Sequence, residues 1–214
     1  MSEPLLLVLA PLALEALALR LSARGVPILI AGMGPARAKR AAVEAAASSA
    51  RALAIVGFCG ALDPSLRPGD IVAADRLLGP GETVELGWAE SVAAALRAGG
   101  LAPFTGSVLT SDRLVRGEER RRLQNTGALA VDMESWHLAG AARGRPLAVV
   151  RAVVDTSSRE LFNPFATAWG GMLAFRALFR SAPALQAWAR QVDSAAANSL
   201  ADAPERSGNR PPSF

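Results

Sequence analysis

The 214 residues include one cysteine, one histidine, one lysine and no tyrosine. A single thiol, Cys59, excludes an internal disulfide and any cysteine cluster with metal-ligand spacing, and it suits a reducing, cytoplasmic setting. A lone His137 cannot assemble a histidine metal site and reads as a packed side chain within a helix. No metal and no organic cofactor is expected. With lysine confined to Lys39, the formal charge of +4 is carried by arginines scattered along the chain. A nucleic-acid binder gathers its bases into one stripe, so no nucleic-acid partner is expected. Long apolar runs are also missing. The segment 5–14 lacks a basic leader, is flanked by Glu3 and Glu15, and falls short of a bilayer span. Any membrane contact should therefore be peripheral.

Several familiar motifs are absent as well. There is no phosphate-cradling loop of the nucleotidase type and no glycine-flanked serine elbow. Gly32-Met33-Gly34 sits between a strand and a helix, as a dinucleotide fingerprint does. The acidic residue that should end the next strand is replaced by Cys59-Gly60. What remains is a helix N-terminus with two glycines, a place where an anion can be faced.

What is present suits a folded α/β chain. A hydrophobic fraction of 51% against 20% charged is ample for a core. Apolar runs at 5–10, 27–31, 53–58, 71–78, 106–110, 128–132 and 147–154 read as strands. Helical stretches alternate with them at 14–23, 36–49, 89–98, 118–124 and 135–143. Turn signals at 63–70 and 79–81 predict an antiparallel excursion, so a central mixed β-sheet flanked by helices is expected. Beyond Pro164, Phe165, Trp169, Met172, Phe175 and Phe179 recur at helical spacing, and Pro183 should break or kink that helix. One domain is expected over 1–202. The Pro-, Ser- and Gly-rich residues 203–214 read as a frayed tail.

Open α/β sheets bind ligands beyond the carboxyl ends of their strands, and acids cluster there. Glu15 follows the first strand, Asp132 and Glu134 close the strand from 128, and Asp155 ends the run Val149-Val150-Arg151-Ala152-Val153-Val154. Asp155 before Thr156 also fits a helix N-cap.

Four segments then resemble one family: Gly57-Phe58-Cys59-Gly60-Ala61-Leu62 with Arg67-Pro68-Gly69-Asp70; Thr110-Ser111-Asp112-Arg113-Leu114-Val115; Val131-Asp132-Met133-Glu134; and Arg151-Ala152-Val153-Val154-Asp155. In order and spacing they resemble the nucleoside phosphorylase superfamily. The closest members are the methylthioadenosine/S-adenosylhomocysteine nucleosidases and, nearer still, the hopanoid-associated phosphorylases, which the segments 12–16 and 177–190 also resemble. The resemblance implies the nucleoside phosphorylase fold and cleavage of the N-glycosidic bond of a purine nucleoside such as adenosylhopane. A methylthioadenosine-type nucleosidase and a non-catalytic nucleoside-binding module are the alternatives.

By the same resemblance, Asp155 is the acid that protonates purine N7 and Glu15 is the glutamate that activates water. Glu134 accepts from the ribose 2′ and 3′ hydroxyls, and Met133 lines the ribose. Leu114, Val115 and the Cys59-Gly60 backbone hold the base. Burial among valines would disfavour the Asp155 carboxylate and help it keep a proton. Val154 replaces the serine, and Leu114 the aromatic, that related sequences carry. The stretches 10–15 and 57–62 hold none of the arginines of true phosphorylases, which leaves water and phosphate both open as the nucleophile. The resemblance also implies a homodimer.

Overall fold

The computed structural model describes residues 3–156 and 164–201. Its elements in chain order are β1 (Leu6–Ala10), α1 (Ala13–Ser22), β2 (Ile28–Ile30), α2 (Pro35–Ala46), β3 (Ala52–Ala61), β4 (Ile71–Leu78), β5 (Val84–Glu85), α3 (Ala89–Ala98), β6 (Phe104–Thr110), α4 (Gly117–Gln124), β7 (Ala130–Asp132), α5 (Ser135–Ala139), β8 (Leu147–Asp155) and α6 (Pro164–Ala201). A short 3₁₀ turn, Gly140–Ala142, follows α5. The expected mixed α/β architecture is what forms: an order β2-β1-β3-β7-β6-β4-β5, with β8 pairing both β3 and β4.

The pairings β3-β8-β4-β6-β7-β3 close on themselves. Closure is possible because β3 is long. Its first half pairs in parallel with β1 through Ala52–Ile55, and its far end pairs antiparallel with β7 at Gly60 and Ala61. The strand expected to stop at Phe58 therefore runs three residues further. The glycine-rich continuation has backbone partners on both sides, and a fully paired ladder outweighs glycine's weak strand preference.

Side chains along β3 alternate between two cores. Ala52, Ala54 and Val56 face one core with α1, α3 and α6, whereas Leu53 and Ile55 face a second core with α2 and α5. Helices on both faces explain why the strands read as continuous apolar runs rather than alternating ones. The helix faces pressed on the sheet are largely alanine, as in Ala38, Ala41 and Ala45 of α2, so helices and sheet approach closely.

α6 departs from expectation, continuing through Pro183 to Ala201 as one helix. Pro183 and Phe179, whose carbonyl the missing N–H would have met, are both exposed, so water can serve the freed acceptor. The flanking Ala182, Ala184 and Leu185 are buried and hold the helix on the sheet. The expected tail at 203–214 lies outside the described residues.

Trp188 anchors α6. Its ring is fully buried, meets Trp88 edge to face at 6.4 Å between centroids, and donates from Nε1 to Ser91 Oγ at 3.0 Å. Trp188→Ala should cost about 3–5 kcal/mol of unfolding free energy. Urea denaturation measures it, and a loss below about 1 kcal/mol would show that α6 is held elsewhere.

Candidate active site

The carboxyl ends of β1, β3, β7 and β8 surround a cavity of about 140 Å³. Its wall includes Glu15, Cys59, Gly60, Leu114, Val115, Met133, Glu134 and Asp155. Every residue singled out from the sequence thus reaches one space, although they come from segments up to 140 positions apart.

Glu15 is placed by helix capping. It occupies the third position of α1, where its Oε2 accepts from the Leu12 N–H at 2.6 Å, one half of a capping box. Its Oε1 accepts from the Phe58 N–H on β3 at 2.7 Å. Burial pushes its pKa from 4.5 to about 7, against the pull of the Arg151 guanidinium and those two N–H donors.

Glu134 precedes α5, and its Oε1 accepts from the Gly34 N–H at 2.9 Å. Gly34, at φ +91°, is the N-cap of α2. The helix end that the sequence marked as able to face an anion therefore faces Glu134, whose carboxylate the macrodipole favours. Burial raises the Glu134 pKa, opposed by Arg151 and the Gly34 N–H.

Between these acids lies Arg151, wholly buried in β8. Its Nη2 meets Asp132 Oδ2 at 2.7 Å, and Nε and Nη2 donate to Ser135 Oγ at 3.0 and 2.8 Å. Asp132 also accepts from Thr110 Oγ1 at 2.7 Å. Burial alone would favour the neutral guanidine, but Asp132, Glu134 and Glu15 outweigh it and hold the charge. Gly57 makes the room: a Cβ there would collide with Arg151 Nη1 and lie 2.8 Å from Glu15 Oε1. Arg151 stands within a quoted motif, yet spacing assigned it no role. A charged residue inside an apolar strand is itself the signal, since burial obliges it to find acids.

Asp155 closes β8 beside an irregularity in the ladder. The register passes from Cys59↔Val153 to Gly60↔Asp155, so Val154 is the extra residue of a bulge that re-aims the acid. Where the sequence suggested a carboxyl among valines, the structure adds a cation. Arg120 Nη2 on α4 lies 2.6 Å from Asp155 Oδ2, with both side chains buried. A guanidinium at this distance favours the carboxylate over the acid. A Cβ at Gly60 would sit 2.8 Å from both Arg120 Nη2 and Asp155 Oδ1, so this glycine too is needed for space. Nothing in Gly-Glu-Glu-Arg-Arg-Arg-Leu-Gln distinguishes Arg120 from its solvent-facing neighbours.

The remaining positions supply surface rather than charge. Cys59 is buried, and burial pushes its thiol up, away from thiolate chemistry. Val115 is buried, while Leu114 at 48% and Met33 at 54% exposure form an apolar rim. His137 is buried with Nε2 3.1 Å from Asp112 Oδ1. Among the described residues no cluster of potential metal ligands occurs.

Glu15 gives a pH-dependent stability. Its folded pKa is raised, so its stabilising contribution is complete below pH 4.5 and is lost as pH rises through about 7. The unfolding free energy of wild type minus that of Glu15→Gln should fall by roughly 3 kcal/mol across that window and then level off. Urea melts from pH 4 to 8.5 measure the difference; a flat line would contradict the raised pKa.

No curated protein matches the chain in sequence. Among solved structures, 5′-methylthioadenosine/S-adenosylhomocysteine nucleosidase from Helicobacter pylori, with butyl-thio-DADMe-Immucillin-A, superposes with a TM-score of 0.73 at 14% identity. That match covers 89% of this chain and 100% of the other. The S. pneumoniae nucleosidase with the transition-state inhibitor MT-ImmA gives 0.69 at 20% identity over 86% and 98%. Futalosine hydrolase of Helicobacter pylori gives 0.70 at 15% over 87% and 97%. These likenesses establish a shared fold. Residues 15–170 match the sequence profile of the phosphorylase superfamily. With the greater part of its length, from Glu15 to Gly170, following that profile, the chain belongs to the phosphorylase superfamily.

Proposed function

We propose that the protein hydrolyses the N-glycosidic bond of an adenine nucleoside. The observation that carries this reading is the convergence of Glu15, Glu134 and Asp155 on one apolar cavity at the strand ends. The base lies between Gly60, Leu114 and Val115 with N7 toward Asp155, and the ribose lies over Met133 with its hydroxyls donating to Glu134. As C1′–N9 breaks, its electron pair enters the imidazole ring and Asp155 passes a proton to N7, since an unprotonated purine leaves poorly. The Glu134 carboxylate becomes a stronger partner as the sugar gains oxocarbenium character. Glu15 takes a proton from the water that closes on C1′.

Water is favoured over phosphate by charge. The sugar side carries the carboxylates of Glu15 and Glu134, and the one cation between them, Arg151, is already bound to Asp132. Wherever Glu15 and Glu134 are ionised, a phosphate dianion would meet repulsion there. For the substituent at C5′, the exposed rim of Met33 and Leu114 supports a large apolar group, and adenosylhopane in hopanoid side-chain synthesis is the finer assignment. A methylthioadenosine-type substrate is the competing one, favoured by the shared fold with nucleosidases of that name. Exposed Leu14, Leu17 and Leu21 form a stripe on α1 that supports a homodimer.

Incubating the purified protein with adenosylhopane, methylthioadenosine and adenosine, with and without phosphate, tests both points. Adenine and the free sugar are expected in either buffer. A sugar phosphate would overturn hydrolysis, and no adenine from any of them would favour a silent binding module. Asp155→Asn should slow cleavage about 10²- to 10⁴-fold; near-wild-type turnover would remove Asp155 from the chemistry.

Access to a membrane-borne substrate would follow from α6. Trp169, Met172 and Phe179 are exposed beside the exposed Arg176 and Arg180, a pattern suited to an anionic interface. The sequence extends that stretch back to Phe162, outside the described residues. Among the described residues no helix is long and apolar enough to cross a membrane. Wild type should float with anionic liposomes at low salt, and Arg176→Glu with Arg180→Glu should not; equal flotation of both would dismiss this contact.

A further inference from the structure

The Arg120–Asp155 pair is expensive to build. α4 is mostly polar, rests on the protein through the partly buried Leu123, and has Arg120 as its one buried residue, 1% exposed. Two of its nitrogens, Nε and Nη1, are buried without a hydrogen-bond partner, a desolvation loss that packing does not repay. What the side chain gains comes through Nη2, which donates to Asp155 Oδ2 at 2.6 Å and to the Val115 carbonyl at 3.3 Å. Arg120 thus ties the acid to the segment assigned to the base, and Gly60 keeps clear the space in which they meet.

We propose that Arg120 is a positioning residue that holds Asp155 as a carboxylate in the empty site, making it complementary to the N7-protonated purine formed at bond cleavage rather than to the intact nucleoside. This rests on the reading of Asp155 as the group that meets N7. Catalysis requires interactions that strengthen in the transition state, and a carboxylate braced by a guanidinium gains most from a partner that is itself becoming cationic. Asp155 takes a proton from solvent as the nucleoside covers it and passes that proton to N7 while the C1′–N9 pair moves into the ring. The carboxylate then re-forms beside Arg120. The water that closes on C1′ releases a proton through Glu15, so the net reaction consumes one water and no other reagent.

Among the described residues, Arg120 is the cation whose pairing with Asp155 the geometry shows. Of the described residues lining the cavity, β3 offers the neutral Cys59 thiol and β7 the acid Asp132, which is engaged by Arg151 of β8, a residue outside the lining. Glu134 and Glu15 are acids and would act in the opposite sense. The exposed Arg113 is paired with Glu119 at 2.6 Å.

The test is a pH titration of the Asp155 carboxyl by ¹³C NMR in wild type, Arg120→Gln, Arg120→Met and Arg120→Lys, with folding checked by circular dichroism. Removing the charge should move the midpoint up by about one pH unit or more, and lysine should bring it back toward wild type. Two neutral variants guard against one failing to fold. A midpoint unmoved in a folded neutral variant overturns the proposal. A second readout uses 9-deazaadenine, which carries a fixed hydrogen on the nitrogen corresponding to N7. Its binding should persist to a pH about one unit lower in wild type than in Arg120→Gln, whereas a purely structural loss would weaken it equally at every pH. If the midpoint moves but 9-deazaadenine binding ignores pH, the assignment of Asp155 to N7 fails while its pairing with Arg120 stands.

Discussion

Arg151 is buried at the centre of β8, and the cavity is arranged around the need to balance its charge. An unpaired guanidinium in that position would cost several kcal/mol. Asp132 and Ser135 bind it directly, and Glu15 and Glu134 contribute at longer range. The converse also holds, because three buried acids in so small a volume would repel one another without a cation among them. Thr110 and the backbone N–H groups of Glu134 and Ser135 complete the satisfaction of Asp132. The charges are consistent as a set and poorly tolerable singly, so this corner of the site is preorganised.

Backbone placement makes that set possible. β3 passes between both arginine–carboxylate groups, and its glycines fall where a side chain would strike them: Gly57 at Arg151 and Glu15, Gly60 at Arg120 and Asp155. Bonding of β3 to β1, β7 and β8 leaves little freedom for the strand to move aside. Small residues here serve close approach rather than a turn, and the ladder's one irregularity, at Cys59/Gly60, is spent on aiming Asp155.

Helix ends do the remaining positioning. Glu15 caps the start of α1, and Glu134 receives an N–H from the start of α2 while standing before α5. Two groups assigned to chemistry are thus held by ordinary secondary-structure bonds, which fixes their orientation without dedicated support. The helices themselves are held by the alanine-lined cores on either side of the sheet.

Much of this was legible in the sequence. Alternating apolar and helical segments marked the strands and helices, because burial on two faces leaves continuous apolar runs. Acids at strand ends marked Glu15, Glu134 and Asp155, because the carboxyl edge of such a sheet is where side chains leave the ladder for open space. The length of β3 and the unbroken α6 were not legible, since both depend on partners distant in the chain that satisfy glycine-rich or proline-interrupted backbone. Arg151 announced itself as a charge inside an apolar strand but not which acids it would meet. Arg120 gave no local sign at all, being one of three consecutive arginines on a polar helix. Its inward turn follows from where α4 lies over Gly60 and Asp155, and that placement is set by long-range packing. The sequence determined which residues could do chemistry; tertiary structure decided their ionic partners, because charge pairing depends on distances that only the folded chain defines.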